Sequence, residues 1–421
     1  MKTIFSVLIV LVLQYLSYAE TPEKILEQID SIISDIPVST STAIVVYNPL
    51  TQDTILSINH TEPMIPASNT KLFTSAVALE LMGGEYPIAT KIMSDDNDFS
   101  DGIIEGNIYI KGFGNPTFTS GDLEELVQSL YESGLRTVTG DVVGDDSYFD
   151  NVYSRDDWIN EERANVKLPP ISALVIDRNR TTVSRKRKGR YRTYYVNVEN
   201  PPLFAAKKLK NTLTSYGIEV NGKSKSGITT DTSKILVESS IKLKDLLKQV
   251  NKESDNFFAE CLFKIVGAVN SGQQGNSLFS TQAILSYIQD NGIYSEGTQI
   301  VDGSGISRFD QVTAGALTGL LEKIYFNINT FDNFYNSLSI AGVDGTLEDR
   351  MNGSAAQNNF RGKTGTLNGV SSISGYLTTF DGDDLIICMI FEFKKGGARK
   401  YRDMQDRIIE ILYNLENKSP E

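Results

Sequence analysis

The chain has 421 residues, 40% apolar and 22% charged, which allows two or three domains with sizeable cores and excludes a disordered polymer. Its 40 Lys and Arg stand against 53 Asp and Glu, a formal charge of −13. That balance argues against a general nucleic-acid binder and against adhesion to anionic lipid through bulk charge.

Residues 1–19 read as an export signal: Lys2, an apolar run from Ile4 to Leu13, and Ser17-Tyr18-Ala19 as a small-x-small cleavage site. The apolar run is shorter than the ~20 residues a membrane span needs. No cysteine follows it to carry a lipid. The mature chain is expected to start near Glu20, exported to the periplasm or cell envelope, with no transmembrane segment. An amphipathic helix is predicted over 25–36, stopped by Pro37. Alternation over 42–48 and 54–58, around Pro49-Leu50-Thr51-Gln52-Asp53, predicts a hairpin.

Pro66-Ala67-Ser68-Asn69-Thr70-Lys71 then opens a helix in which Leu72, Phe73, Ala76, Leu79 and Met82 follow the rhythm of a buried face. Ser68 and Lys71 fall three apart on its first turn, on the same side. A serine hydroxyl is a poor nucleophile until a base takes its proton, and a lysine held partly neutral can serve. A Ser-His-Asp triad would depend on the one histidine, His60, which sits in the turn-like Asn59-His60-Thr61. Any serine chemistry here is expected to use another base. The four-residue pattern alone decides nothing, because Ser239 and Lys242 repeat it. An exposed polar first turn with a solvated lysine is the competing reading.

Past Gly83-Gly84 the texture changes to short strands, 90–93, 103–111 and 138–144, with one clear helix over 123–134. Gly112-Phe113-Gly114-Asn115-Pro116 reads as a turn rather than a phosphate cradle. Residues 150–165 carry Trp158, the only tryptophan, and many charges. The run Arg185-Lys186-Arg187-Lys188-Gly189-Arg190 reads as a solvated hairpin turn between Thr182 and Tyr195 rather than a surface for an anionic partner. A helix is predicted over 203–216. Helices return over 243–251, 256–269, 282–291 and 314–328. Strands follow over 361–367, 369–380 and 385–393, with Asp381-Gly382-Asp383 as a turn, and a helix over 402–415 closes the chain. Cys261 and Cys388 lie in apolar runs and read as buried thiols, a disulfide between them being the alternative. The economical division is one discontinuous unit, 20–87 plus 241–421, interrupted by an inserted strand-rich stretch at 88–240.

Three short patterns occur in order: Ser68-x-x-Lys71, Ser254-Asp255-Asn256 just before a helix, and Lys363-Thr364-Gly365-Thr366 in a strand. Together they have the composition of the penicilloyl-serine signature. On these residues the chain resembles the low-molecular-mass penicillin-binding proteins that act as D-alanyl-D-alanine carboxypeptidases and endopeptidases, in the subgroup with large insertions. The resemblance extends through Gly140-Asp141-Val142-Val143-Gly144-Asp145-Asp146-Ser147-Tyr148-Phe149-Asp150 and Asn200-Pro201-Pro202-Leu203-Phe204-Ala205-Ala206. It includes Asp302-Gly303-Ser304-Gly305-Ile306-Ser307-Arg308, in which Ile306 replaces the family's leucine.

The resemblance implies an α+β fold: a penicillin-binding-protein/β-lactamase-like transpeptidase domain, an antiparallel sheet flanked by helices, with an inserted strand-rich domain. A small nested third domain would fall around 151–200, reduced in size because little chain is available. Ser68 would be the acylated nucleophile, Lys71 its base, Ser254 a proton relay toward the leaving amine and Asn256 a hydrogen-bonding partner of the substrate amide. Lys363 would face the substrate's terminal carboxylate, assisted by Thr364 and Thr366. Gly365 would let the peptide lie against the strand, and the N–H groups of Ser68 and Thr366 would form the oxyanion hole. The charge of Lys363 is expected to lower the proton affinity of Lys71. Asp302, Ser304 and Arg308 are read as structural. The implied substrates are peptidoglycan stem peptides, with β-lactams as acylating mimics and no metal or organic cofactor. A serine β-lactamase-like hydrolase shares the patterns, but the long insertion and the peptidase-like loops speak against it. A catalytically silent envelope scaffold is the other rival, and no motif residue is missing.

Overall fold

The computed structural model of the protein describes residues 21–96, 99, 101–158, 168–187 and 190–415, so the expected signal at 1–19 lies outside the described residues. Helix α1 (Pro22–Ser34) has proline at its first position and buries Ile25, Ile29 and Ile32 on one face. The hairpin β1 (Ser41–Asn48) and β2 (Asp53–Ile58) follows. A 3₁₀ turn (Ala67–Asn69) runs directly into α2 (Thr70–Met82), which Gly83 ends at φ +72°. All ten residues from Thr70 to Leu79 are buried. The single apolar face predicted for α2 was therefore too narrow. It is a central helix, packed on every side, and its small residues Ala76 and Ala78 permit that closeness.

The inserted stretch begins at β3 (Pro87–Ser94) and continues through β4 (Ile103–Ile104), β5 (Ile108–Gly112), α3 (Ser120–Glu132), β6 (Thr137–Val138) and β7 (Val142–Asp145). The ribbon β8 (Arg180–Arg187) and β9 (Arg190–Asn197) leads to α4 (Pro201–Ser215), β10 (Glu219–Val220), β11 (Ser224–Ser226) and β12 (Lys234–Lys242). A five-stranded sheet runs β11-β7-β5-β3-β12 and a three-stranded one β10-β6-β4. Both enclose a core with α3 and α4, built on Ile108, Ile110, Leu123, Val127, Leu209 and Leu213. Pro87 pairs with Lys242, so the chain leaves and returns side by side. Phe149, Ile171, Ala173 and Val175 pack instead into the helical core around α2. Among the described residues of 151–200, β8 and β9 form a two-stranded sheet of their own.

The remaining elements are α5 (Leu243–Asn251), α6 (Asn256–Ser271), α7 (Ser277–Asp290), α8 (Ala314–Tyr325), α9 (Phe331–Tyr335), β13 (Ser339–Ile340), β14 (Phe360–Leu367), β15 (Val370–Thr378), β16 (Asp384–Glu392) and α10 (Ala398–Leu412). The principal sheet is antiparallel in the order β13-β14-β15-β16-β1-β2. Leu385, Ile387, Met389 and Phe391 of β16 face a core closed by α1 and α10. The alternate residues Ile386, Cys388 and Ile390 face the helical core. Burial on both faces is why β16 reads as a continuous apolar run. Cys261 and Cys388 are both free and buried.

Several predicted boundaries shift for local reasons. Helix α4 starts at Pro201 rather than 203, because prolines suit its first positions and Asn200 accepts from the Leu203 N–H. Helix α7 starts at Ser277 rather than 282, capped by Asn276, which accepts from the Phe279 N–H. Helix α8 ends at Tyr325, short of 328. Helix α10 spans Ala398–Leu412 rather than 402–415 and begins directly after the Gly396-Gly397 pair.

Candidate active site

Backbone geometry brings the three patterns together. Ala67, immediately before Ser68, has φ +49°, and Ser254 has φ +56°. Both lie in the left-handed region that non-glycine residues enter rarely. Gly305, at φ +76°, lies so close to the first of them that an added Cβ would sit 1.9 Å from the Ala67 carbonyl oxygen. At Gly365 a Cβ would approach the Pro66 oxygen to 2.7 Å. The strand β14 can lie against the serine turn only because that Cβ is absent.

Lys71 Nζ donates to Ser68 Oγ at 2.9 Å, to Asn256 Oδ1 at 2.7 Å and to the Ser304 carbonyl at 2.5 Å. Lys363 Nζ donates to Ser254 Oγ and to the Thr364 carbonyl, both at 2.8 Å. Thr364 Oγ1 donates to Thr346 Oγ1 at 2.8 Å. Ser68, Ser254, Asn256, Thr364 and Thr366 line one polar cavity of about 420 Å³, with Thr346, Arg350 and Arg402 completing its wall. Ser68 is half-buried, so its hydroxyl is reachable. The second Ser-x-x-Lys, Ser239 and Lys242, lies on β12 far from these groups in the topology, with Lys242 paired to Glu85.

Both lysines are fully buried. Burial lowers the Lys71 pKa to about 8, against the opposing pull of the carboxylates Asp302, Glu260, Asp255 and Asp310. Burial also holds Lys363 well below its ordinary value, and the Lys71 charge pushes it down further. The expectation that Lys363 suppresses Lys71 is thus corrected: desolvation does so, and the mutual repulsion registers at Lys363. Beneath Lys71, burial and the neighbouring Asp302 push Glu260 up to about 8 and Asp310 well above the carboxylate range.

Lys363 does not form part of the cavity wall; it lies against Ser254 Oγ and the Thr364 carbonyl. The cation in the wall is Arg402 of α10, exposed, with Nη2 donating to Thr366 Oγ1 at 3.1 Å. Arg350 also reaches the wall, but Asp406 and Gln405 hold its guanidinium. No sequence pattern announced Arg402; its role depends on α10 passing the open end of β14.

The loop from Asp302 to Ser307 shows why the Gly-Ser-Gly turn keeps its shape. The buried Asp302 carboxylate accepts from the backbone N–H groups of Ser304, Gly305 and Ser307 and from Trp158 Nε1. That arrangement aims the Ser304 carbonyl at Lys71, so a loop read as structural also supplies a partner to the site. Removing the acceptor strands several buried donors. Asp302→Ala should therefore cost about 3 kcal/mol of folding stability, read by urea unfolding. A loss within error of zero would mean that the loop holds itself.

The sequence matches the family described as D-Ala-D-Ala carboxypeptidase 3 (S13) over residues 25–193 and 186–415. It is 28% identical over 429 residues to the D-alanyl-D-alanine carboxypeptidase of Actinomadura sp. (strain R39), covering 85% of this chain and 79% of that one. In fold it is similar to the crystal structure of penicillin binding protein 4 (dacB) from Haemophilus influenzae, at TM-score 0.79 and 23% identity, over 91% of this chain and 99% of that one. A structure of that protein complexed with a novel β-lactam matches at TM-score 0.76 and 22% identity, with the same coverage.

Proposed function

The chain belongs to the D-Ala-D-Ala carboxypeptidase 3 (S13) family, and from that premise we propose that its Ser68 carries a serine-type DD-peptidase reaction on peptidoglycan stem peptides. The observation that supports this most strongly is Lys71 Nζ, 2.9 Å from Ser68 Oγ and 2.7 Å from Asn256 Oδ1, bonded to two residues that line one cavity.

Neutral Lys71 takes the proton as Ser68 Oγ attacks the carbonyl carbon of the penultimate D-alanine. Charge develops on the carbonyl oxygen, and the N–H groups of Ser68 and Thr366 are the donors assigned to it. The C–N bond breaks, the terminal D-alanine leaves with a proton delivered through Ser254, and an acyl-enzyme remains on Ser68. Water then hydrolyses the ester by the reverse proton path. Asn256 gives its Oδ1 to Lys71, which leaves its Nδ2 for the substrate amide. Gly365 lets the peptide lie along β14 as an added strand. The same chemistry on a D-alanyl cross-link is an endopeptidase reaction. β-Lactams, mimicking the substrate, acylate the same hydroxyl.

We assign the terminal carboxylate to Arg402 together with Thr364 and Thr366, with Lys363 holding Ser254 Oγ and the Thr364 carbonyl in place. Arg402→Ala should raise KM about tenfold for peptides ending in a free carboxylate and leave C-terminally amidated peptides unaffected. Steady-state kinetics on the matched pair checks this; equal losses on both would remove the assignment. We take 20–87 plus 241–421 as the catalytic unit and 88–240 as the insertion, on the adjacent exit and return at Pro87 and Lys242. We place the protein in the periplasm or cell envelope on the export signal at 1–19. Among the described residues no helix is long and apolar enough to cross a membrane. Incubation with muropeptides of defined cross-linking, read by mass spectrometry, tests the activity. Loss of one alanine or cleavage of a D-alanyl cross-link is expected; unchanged masses would contradict it.

A further inference from the structure

The ribbon β8–β9 departs from everything around it. Between residues 180 and 197 the sequence carries seven Lys and Arg and no Asp or Glu, in a chain of net charge −13. Arg185 stands directly opposite Arg192, and Arg187 opposite Arg190. Like charges facing across a strand pair destabilise it, and a two-stranded hairpin is only marginally stable by itself. None of these four guanidiniums has a carboxylate partner among the described residues. The other face carries Tyr191, opposite Lys186, and Tyr195, opposite Thr182, 73% and 78% exposed. A solvated hairpin turn needs neither the arginine ladder nor the bare rings.

At its base the ribbon is anchored to the catalytic site. Arg178, two residues before β8, pairs with Asp255 through both guanidinium nitrogens, at 2.6 and 3.0 Å. Asp255 lies between Ser254 and Asn256 and caps α6. The Arg178 guanidinium also lies over the rings of Phe257 and Phe258. Asn197 Nδ2 donates to the Leu168 carbonyl, and the Val198 N–H to the Asn179 carbonyl, closing the stem.

We propose that this ribbon is a docking surface for the peptidoglycan polymer itself, bound as an acidic glycopeptide rather than as a single stem peptide. The inference rests on the DD-peptidase reading above. On that reading every uncleaved stem ends in a free carboxylate, so the insoluble polymer is a polyanion with sugar rings between its charges. Guanidinium forks suit carboxylates, and exposed tyrosine faces suit the C–H faces of sugars. Charge complementarity of this kind raises local substrate concentration and weakens with salt.

The test uses the full mature protein and two substrates. Wild type, the quadruple variant Arg185→Gln/Arg187→Gln/Arg190→Gln/Arg192→Gln and the double variant Tyr191→Ser/Tyr195→Ser are sedimented with purified peptidoglycan sacculi. D-Alanine release is measured from sacculi and from a soluble pentapeptide. The quadruple variant should lose about tenfold in sacculus binding and in release from sacculi, with soluble-peptide turnover unchanged. The double variant should lose several-fold, and about 0.5 M salt should reduce wild type toward the quadruple variant. Unaltered sacculus binding by both variants, with soluble turnover intact, overturns the docking surface alone. Binding of wild type to anionic phospholipid vesicles but not to sacculi also overturns it, in favour of a membrane surface. Failure of wild type to turn over the soluble peptide would instead overturn the peptidase reading.

Discussion

Ser68→Ala should abolish both acylation by a fluorescent penicillin and D-alanine release, with a fall in kcat of at least about 10³-fold. The other hydroxyls of the cavity wall are held differently. Ser254 Oγ is occupied by Lys363 Nζ, and the hydroxyls of Thr364 and Thr366 have no adjacent base; Thr364 donates to Thr346 and Thr366 accepts from Arg402. The substitution removes one half-buried oxygen from a turn that the backbone of Pro66, Ala67 and Gly305 already shapes. Folding should therefore be retained, and a melting curve alongside the kinetics separates loss of nucleophile from loss of fold. Residual labelling at wild-type rate would mean that the reacting group is elsewhere.

The second large effect belongs to Lys71. As a base it must be unprotonated, and burial brings its pKa down to about 8. At pH 7 about one tenth of the molecules hold the free amine, and at pH 9 about nine tenths. Acylation should thus rise with pH through about 8 and level off above it, because the proton-bound form is the inactive one. Lys71→Ala should lower the acylation rate constant by about 10²- to 10⁴-fold. Lys71→Arg keeps the charge over Glu260 and Asp302 but cannot release a proton, so it should be similarly slow with the rise near pH 8 gone. Stopped-flow acylation from pH 6 to 10 checks both. An arginine variant retaining wild-type rate and pH profile would show that Lys71 acts by charge alone.

The parts of this site that could be read in the chain are those carried by short local patterns. Ser68 and Lys71 are three residues apart on one helical turn, and Asp255 announces the helix that presents Asn256. The apolar runs over β15 and β16 and the turn between them likewise locate the sheet. What escaped the sequence depends on remote contact. The third partner of Lys71 is a backbone carbonyl, that of Ser304, and a carbonyl carries no side-chain signal. Arg402 meets Thr366 only because α10 packs on the sheet beside β14. The main cause of the Lys71 shift is not legible in the sequence, because burial of all ten residues from Thr70 to Leu79, Lys71 included, cannot be inferred from a helix whose polar positions look solvated. The arginine ladder of β8 and β9 shows the reverse case. Its composition was plain, but the cross-strand register that sets like charges face to face is a property of the folded ribbon.

Turnover depends on a single hydroxyl, activated by a buried amine, becoming the acyl carrier. The most direct measurement is mass spectrometry of the penicillin-treated mature protein, intact and after proteolysis. One penicilloyl adduct per chain is expected, on the peptide containing Ser68 and absent from Ser68→Ala. An adduct on any other residue, or none after prolonged exposure of folded protein, would contradict it.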